Sequence, residues 1–67
     1  MVDIKKIETK RAEYHYSQRQ MAKLMGYETH ATYQRKIKGE RQFTVEDIVK
    51  LCEIFQLELN DLIILNK

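Results

Sequence analysis

Basic and amide side chains collect in the middle of this 67-residue sequence, in the stretch GYETHATYQRKIKGER, residues 26–41. Glutamine and arginine can pair bidentately with adenine and guanine in the DNA major groove. Lysine and arginine also bind phosphates, which adds affinity without sequence discrimination. Residues 16–42 carry six basic and two acidic side chains, whereas residues 43–67 carry two basic and five acidic ones. This distribution predicts one face suited to a polyanion, although the solvated face of an ordinary helix would have the same composition.

Helical periodicity and capping residues place this stretch between other helices. We predict an all-α fold of five short helices, over residues 3–13, 18–25, 30–38, 45–55 and 60–65. The predicted N-terminal caps are Ser17 with Gln20, Thr29, and Thr44 with Asp47. Gly26 and Gly39 predict the ends of the second and third helices. Apart from short ambiguous runs at the C-terminus, no alternating strand pattern bounded by turn residues competes with this interpretation.

The predicted core follows from apolar residues at three- and four-residue steps. On the third helix, Tyr33 and Ile37 share the buried face, and Ala31, Arg35 and Lys38 point away from it. The other predicted core residues are Met21, Leu24 and Met25 on the second helix and Val45, Ile48, Leu51, Cys52 and Phe55 on the fourth, with Leu57, Leu59 and Leu62 after it. The third helix therefore exposes small, amide and cationic side chains.

Length and composition narrow the class of protein. A chain of 67 residues predicts a single domain, residues 1–67. One cysteine, no signal-peptide pattern and no apolar run of membrane-spanning length predict a soluble cytoplasmic protein. The spacing of His15, His30 and Cys52 matches no zinc pattern, and no catalytic arrangement is present. We expect no metal, no cofactor and no enzymatic activity.

The third helix supplies candidate contacts to DNA. Ala31 lets the backbone approach a groove, Gln34 can pair with adenine, and Arg35 can pair with guanine. The predicted base-contacting residues are His30, Ala31, Thr32, Gln34 and Arg35. The predicted phosphate-contacting residues are Lys36, Lys38 and Arg41, together with Gln18 at the start of the second helix.

The order and spacing of these elements resemble a known family, the lambda-repressor-like, Cro-type helix-turn-helix regulators of phages and bacteria. The resemblance is carried by the segments YSQRQMAKLMGY, TYQRKIKGER and FTVEDIVKLCEIFQLELNDL. It implies a DNA-binding transcriptional regulator, such as a repressor, with its third helix in the major groove. It also implies that Gln18 contacts phosphate and that Lys38, Arg41 and Gln42 grip the sugar–phosphate backbone.

Two positions depart from the family pattern. The segment from Gly26 to Gly39 is one residue longer than usual, and we place the extra residue in the turn GYET, residues 26–29. The family often has a glutamate two residues before the second glycine, where this chain has Ile37. We therefore predict that Ile37 lies in the core and that Arg11, the usual partner of that glutamate, pairs with a phosphate or another carboxylate.

The C-terminal segment has apolar residues in a row, which one short helix cannot bury on a single face. We predict a homodimer contact there, or else a frayed tail or a domain cut from its partner; the residues concerned are Leu62, Ile63, Ile64 and Leu65. A dimer would place two recognition helices one DNA turn apart, about 34–36 Å. The alternative function is a protein-interaction module of the same fold, such as an antitoxin, an antirepressor or a regulatory subunit.

Overall fold

The computed structural model describes residues 2–64, which form five helices. These are α1 (Ile4–Glu13), α2 (Gln18–Met25), α3 (His30–Ile37), α4 (Val45–Phe55) and α5 (Leu59–Leu62). The prediction of an all-α, five-helix fold is confirmed. No helix in this part of the chain is long and apolar enough to cross a membrane.

Local capping explains where α2 and α4 begin. The Ser17 hydroxyl accepts from the Gln20 backbone N–H at 3.0 Å, and the Gln20 side chain accepts from the Ser17 N–H at 2.7 Å. Thr44 and Asp47 form the same reciprocal pair at α4. Thr29 precedes α3, but its side chain makes no capping hydrogen bond, so the predicted Thr29 cap is wrong in that respect.

The turn between α2 and α3 spans residues 26–29, to which we assign the extra residue. Gly26 ends α2 in the left-handed conformation, with φ of +80°, which costs a glycine little because it has no Cβ. Its N–H donates to the Lys23 carbonyl, and the Tyr27 N–H donates to the Ala22 carbonyl. Four residues therefore separate the last residue of α2 from the first of α3.

The ends of the described chain meet. Val2 and Ile63 form an antiparallel bridge, and the Asp3 N–H donates to the Leu62 carbonyl at 2.7 Å. Because Ile63 is extended, α5 ends at Leu62 and does not continue toward residue 65 as predicted. α1 begins one residue later than predicted because Asp3 is its cap, with the carboxylate accepting from the Lys6 N–H. Likewise α3 ends at Ile37, and Lys38 follows as its C-terminal cap.

The hydrophobic core joins all five helices. Its buried members are Ile7, Met21, Ala22, Met25, Tyr33, Ile48, Leu51, Phe55 and Leu62. Ile37 is half-buried and packs against this core, as predicted. Three predicted core residues are exposed instead, because they lie at the margins of the buried faces or at the start of a helix: Leu24 at 41%, Val45 at 76% and Leu59 at 54%.

Candidate nucleic-acid interface

Helix α3 has a buried face and an open face. Tyr33 is fully buried, and Lys36, three residues later, is only 6% exposed. Arg35 lies on the opposite side of the helix and is exposed, as is Lys38 at the helix end. The narrow buried face therefore fixes which side of α3 can meet a ligand.

The predicted base-contacting residues all lie on the eight residues of α3. Arg35 is exposed, whereas four are half-buried: His30, Ala31, Thr32 and Gln34. A groove of about 430 Å³ runs between α2 and the first turn of α3. Its lining includes Arg19, Lys23, Tyr27 and His30. The open face of α3 is thus continuous with a groove that carries cationic side chains from α2.

Exposed cations surround this face. They are Arg19 and Lys23 on α2, Arg35 on α3, and Lys38 and Arg41 after it. None of them forms an ion pair with any residue between 2 and 64. Two carboxylates, Glu28 and Glu40, are exposed in the loops on either side of α3. The positive charge of these side chains is therefore not neutralised by an ion pair within residues 2–64.

Lys36 does not belong to that surface, and its prediction as a phosphate-contacting residue is wrong. Its ammonium group forms an ion pair with Asp47 of α4. It also lies 4.9 Å from the ring centroid of Tyr27 and 5.8 Å from that of Phe43, within the range of cation–π attraction. Because Lys36 follows Tyr33 by three residues, helical geometry turns it toward α4 and the interior.

The Asp47 cluster consists of Asp47, Lys36, Tyr27 and Thr44. The Asp47 carboxylate accepts from the Tyr27 hydroxyl at 2.9 Å and from the Thr44 N–H at 2.8 Å, besides pairing with Lys36. Burial alone would raise the pKa of Asp47, but hydrogen bonds from Lys36, Thr44 and Tyr27 outweigh it and lower the pKa. Burial and the bond to Asp47 raise the pKa of the Tyr27 hydroxyl. The cluster joins the turn, α3 and α4.

The Glu8 cluster consists of Glu8, Arg11, Gln18 and Tyr33. Arg11 donates to both carboxylate oxygens of Glu8, at 2.9 and 3.2 Å, and the Tyr33 hydroxyl donates at 2.8 Å. Burial favours the neutral acid, but the bonds from Arg11 and Tyr33 lower the pKa of Glu8. Burial and Glu8 together raise the pKa of Tyr33. The prediction that Arg11 pairs with a carboxylate or a phosphate is thus resolved in favour of the carboxylate, Glu8.

Gln18 links this cluster to the open face of α3. Its amide nitrogen donates to Glu8 Oε1 at 3.3 Å, and its oxygen accepts from the Gln34 amide nitrogen at 3.0 Å. Its side chain is therefore already engaged within the protein. Glu8 was not among the predicted site residues, although its position three residues before Arg11 on α1 is the spacing of a helical ion pair.

The remaining predicted phosphate-contacting residues, Lys38, Arg41 and Gln42, are all exposed in the segment after α3.

The predicted homodimer contact in the C-terminal segment requires a correction. Leu62 is fully buried in the core, so it cannot form a contact with another chain. Ile63 is half-buried and pairs with Val2, and Ile64 is 40% exposed. Leu65 lies outside the described residues.

Comparison with known proteins agrees with this architecture. The sequence model of a helix-turn-helix family matches residues 7–62, which include most of α1 and all of α2 to α5. The search of curated proteins found no match, and the search of solved structures found none either.

Proposed function

The chain belongs to the lambda-repressor-like helix-turn-helix family of DNA-binding proteins, which is not a family of enzymes, and on that premise we propose that it is a sequence-specific transcriptional regulator. In this proposal α3 lies in the major groove of double-stranded DNA. Binding at a promoter blocks or recruits the transcription machinery. The protein then acts in the compartment that holds the DNA, the cytoplasm of a bacterial host.

The observation that carries the proposal is the division of α3 into two faces. One face is held in the interior by Tyr33 and Lys36, and the other presents Gln34 and Arg35 beside the small Ala31. Glutamine and arginine are the residues whose donors and acceptors match adenine and guanine edges. Exposed cations that form no ion pair among residues 2–64 lie on α2 and after α3, and they support the same proposal.

Base contacts and phosphate contacts are assigned to different residues. We assign base contacts to α3, through His30, Ala31, Thr32, Gln34 and Arg35. We assign phosphate contacts to Lys38, Arg41 and Gln42, and to the start of α2 at Gln18. Because the Gln18 side chain is engaged by Glu8 and Gln34, its backbone N–H and its second amide hydrogen are the donors left for a phosphate.

Salt-dependent binding tests the proposal directly. The purified protein is titrated into fluorescent random-sequence duplex at several salt concentrations between about 50 and 200 mM. Each phosphate neutralised contributes about −0.9 to the slope of log K against log salt, so contacts from several cations give a steep decrease. The same fold acting as a protein-interaction module, such as an antitoxin, would show no salt-sensitive retention on DNA, and that result would overturn the proposal.

Replacing Arg35 tests the assignment of base readers. Arg35→Ala should cost roughly 1–3 kcal/mol of binding free energy on the preferred sequence and relax preference at one base position. The measurement is selection from a random duplex library, followed by affinity for the selected and single-base-changed sites. Unchanged preference at every position would remove Arg35 from the set of base readers.

We further propose that two copies bind a palindromic site, with half-sites about 10 base pairs apart. Leu62 takes no part in this contact. The exposed apolar side chains of α4 and the C-terminal segment support self-association, with Val49 at 44% and Ile64 at 40% exposure. A palindrome among selected sequences, together with a dimer by sedimentation on that DNA, is the expected result. A single half-site bound by one chain would contradict it.

A further inference from the structure

A chain of hydrogen bonds runs from α1 to the open face of α3 through three side chains. The Gln18 amide nitrogen donates to Glu8 Oε1 at 3.3 Å, and the Gln34 amide nitrogen donates to Gln18 Oε1 at 3.0 Å. Glu8 lies on α1, outside the two helices that form the helix-turn-helix. These two hydrogen bonds therefore connect Glu8, which lies outside the proposed base-contacting helix, to Gln34, one of the proposed base-contacting residues.

The chemistry of Glu8 determines which group donates and which accepts in each of these hydrogen bonds. An ionised carboxylate accepts hydrogen bonds and donates none. Gln18 must therefore turn its NH₂ group toward Glu8, which leaves its oxygen facing Gln34. Since that oxygen also only accepts, Gln34 must turn its own NH₂ group toward Gln18.

One amide hydrogen of Gln34 is used in this way, which leaves the second amide hydrogen and the carbonyl oxygen of the same group. Gln34 is then left with one donor and one acceptor. Adenine offers the complementary pair in the major groove, the N6 amino group as donor and N7 as acceptor. Guanine offers two acceptors, N7 and O6, so its O6 would face the Gln34 oxygen.

Glu8 is held firmly enough to act as the fixed end. Arg11 donates to both of its oxygens at 2.9 and 3.2 Å, and Tyr33, which is fully buried, donates at 2.8 Å. Its side chain is 27% exposed, so solvent reaches only part of it. Each oxygen is thus set by the frame of α1 and α3 before any DNA arrives.

We propose that Glu8 is a specificity-determining positioning residue, which sets the donor–acceptor direction of Gln34 through Gln18 and so makes Gln34 select adenine. This inference rests on the proposed function for its DNA readout. Its structural half, that Glu8 orients Gln34, holds in the protein without DNA and has a measurement of its own.

The experiment compares base preference among variants of the full chain. Gln34→Ala first identifies the base position that Gln34 reads, in a selection from random duplex. Affinity is then measured for sites carrying each of the four bases there. We expect the wild-type preference for adenine to be roughly tenfold. Glu8→Met, which keeps the length but has no acceptor, should reduce it to within about threefold.

Tyr33→Phe is the matched control. It removes a hydrogen bond to Glu8 from within the same cluster but leaves the bonds from Glu8 to Gln18 and from Gln18 to Gln34 intact. Its adenine preference should therefore equal that of wild type even if its stability falls. If Glu8→Met does not fold, Gln18→Leu interrupts the chain at its middle without touching Arg11 or Tyr33, and it should lose the same preference.

The side-chain amide signals of Gln34 in the ¹⁵N NMR spectrum of the free protein give the second readout. In wild type one amide hydrogen is bonded to Gln18, so its shift and its rate of exchange with water should depart from those of a solvated glutamine. In Glu8→Met they should approach the values of a solvated glutamine, and in Tyr33→Phe they should not change.

The outcomes separate the inference from the function on which it rests. Wild-type protein that binds no duplex overturns the proposed function and the base preference together, and the amide signals then decide whether Glu8 orients Gln34. Wild-type protein that binds DNA, with no base position depending on Gln34, overturns the adenine preference alone. A folded Glu8→Met or Gln18→Leu with unchanged preference and unchanged amide signals overturns the inference entirely.

Discussion

Two carboxylates hold α3 in place, and they do so in different ways. Asp47 of α4 pairs with Lys36, a buried cation that belongs to α3 itself, and takes a further bond from Tyr27. Glu8 pairs with Arg11 of its own helix and reaches α3 through the Tyr33 hydroxyl and through Gln18. The Asp47 cluster fixes the buried face of α3, whereas the Glu8 cluster also contacts the open one. Asp47 thus bonds only to the buried side of α3, whereas Glu8 is also joined through Gln18 to Gln34 on the open side.

Lys36→Met should show the largest effect, because it removes the cation from the more deeply buried of the two clusters. Asp47 would keep its bonds from Tyr27 and Thr44 but lose its charge partner, and breaking a buried ion pair costs roughly 3 kcal/mol. The free energy of unfolding is measured by urea denaturation. The double variant Lys36→Met/Asp47→Asn, which keeps a capping side chain at position 47, should lose less than the sum of the two single variants. A loss below about 1 kcal/mol for Lys36→Met would mean that the pair is solvated in solution.

Tyr27→Phe and Tyr33→Phe form a matched pair across the two clusters. Each removes one hydroxyl from a carboxylate that keeps its other donors, so each should lower the free energy of unfolding by about 1 kcal/mol. Denaturation of both variants under identical conditions checks this. A Tyr33→Phe variant as stable as wild type, beside a destabilised Tyr27→Phe, would show that Arg11 and Gln18 hold Glu8 without the Tyr33 hydroxyl.

Acid should lower the free energy of unfolding, because it protonates the carboxylates of both clusters. Until the pH is low, this decrease should be smaller than the decreases expected for Lys36→Met and for the two tyrosine variants. The folded protein lowers the pKa of Glu8 and of Asp47. The stability that each contributes is therefore present above the unfolded values, about 4.3 and 3.9, and is lost as pH falls through the folded ones. Thermal unfolding between pH 7 and pH 2 measures this. Glu8→Gln and Asp47→Asn should each show a shallower decrease in acid, and a wild-type curve that is flat below pH 4 would contradict both assignments.

Lys38→Ala should have the smallest effect on stability of these variants. Its side chain is exposed and unpaired among residues 2–64, so the free energy of unfolding should change by less than about 0.5 kcal/mol. On DNA it should weaken all sequences alike and reduce the salt slope by about one. Lys36→Met, compared at a temperature where it is folded, should leave the salt slope unchanged. If Lys36→Met reduced the salt slope and Lys38→Ala did not, the assignment of the buried and open faces of α3 would be wrong.

The sequence was sufficient for the helices and for much of the core, because both depend on local signals. Ser17 with Gln20 and Thr44 with Asp47 form the predicted caps, and Gly26 ends α2 as predicted. The position of Lys36 could not be predicted from its type, since lysine is seldom buried without a partner, and that partner is eleven residues away on another helix. Its spacing from Tyr33 was the available signal.

Glu8 was missed for a related reason. Its ion pair with Arg11 is local, but its bonds to Gln18 and Tyr33 depend on how α1 packs against α2 and α3, which periodicity does not specify. The prediction for Leu62 was wrong for the same reason. A row of apolar residues predicted an exposed contact, but Ile63 leaves the helix to pair with Val2, and Leu62 then fits into the core. Whether such residues are buried or bonded depends on contacts between segments that are far apart in the sequence.

The junction of Val2 and Asp3 with Leu62 and Ile63 also has a consequence in time. A chain leaves the ribosome from its N-terminus, so α1 is made first, yet its start is fixed by residues about sixty positions later. Ile7 lies in the same core as Leu62. The contacts that join the start of α1 to Leu62 and Ile63 can therefore form only after α5 has been synthesised.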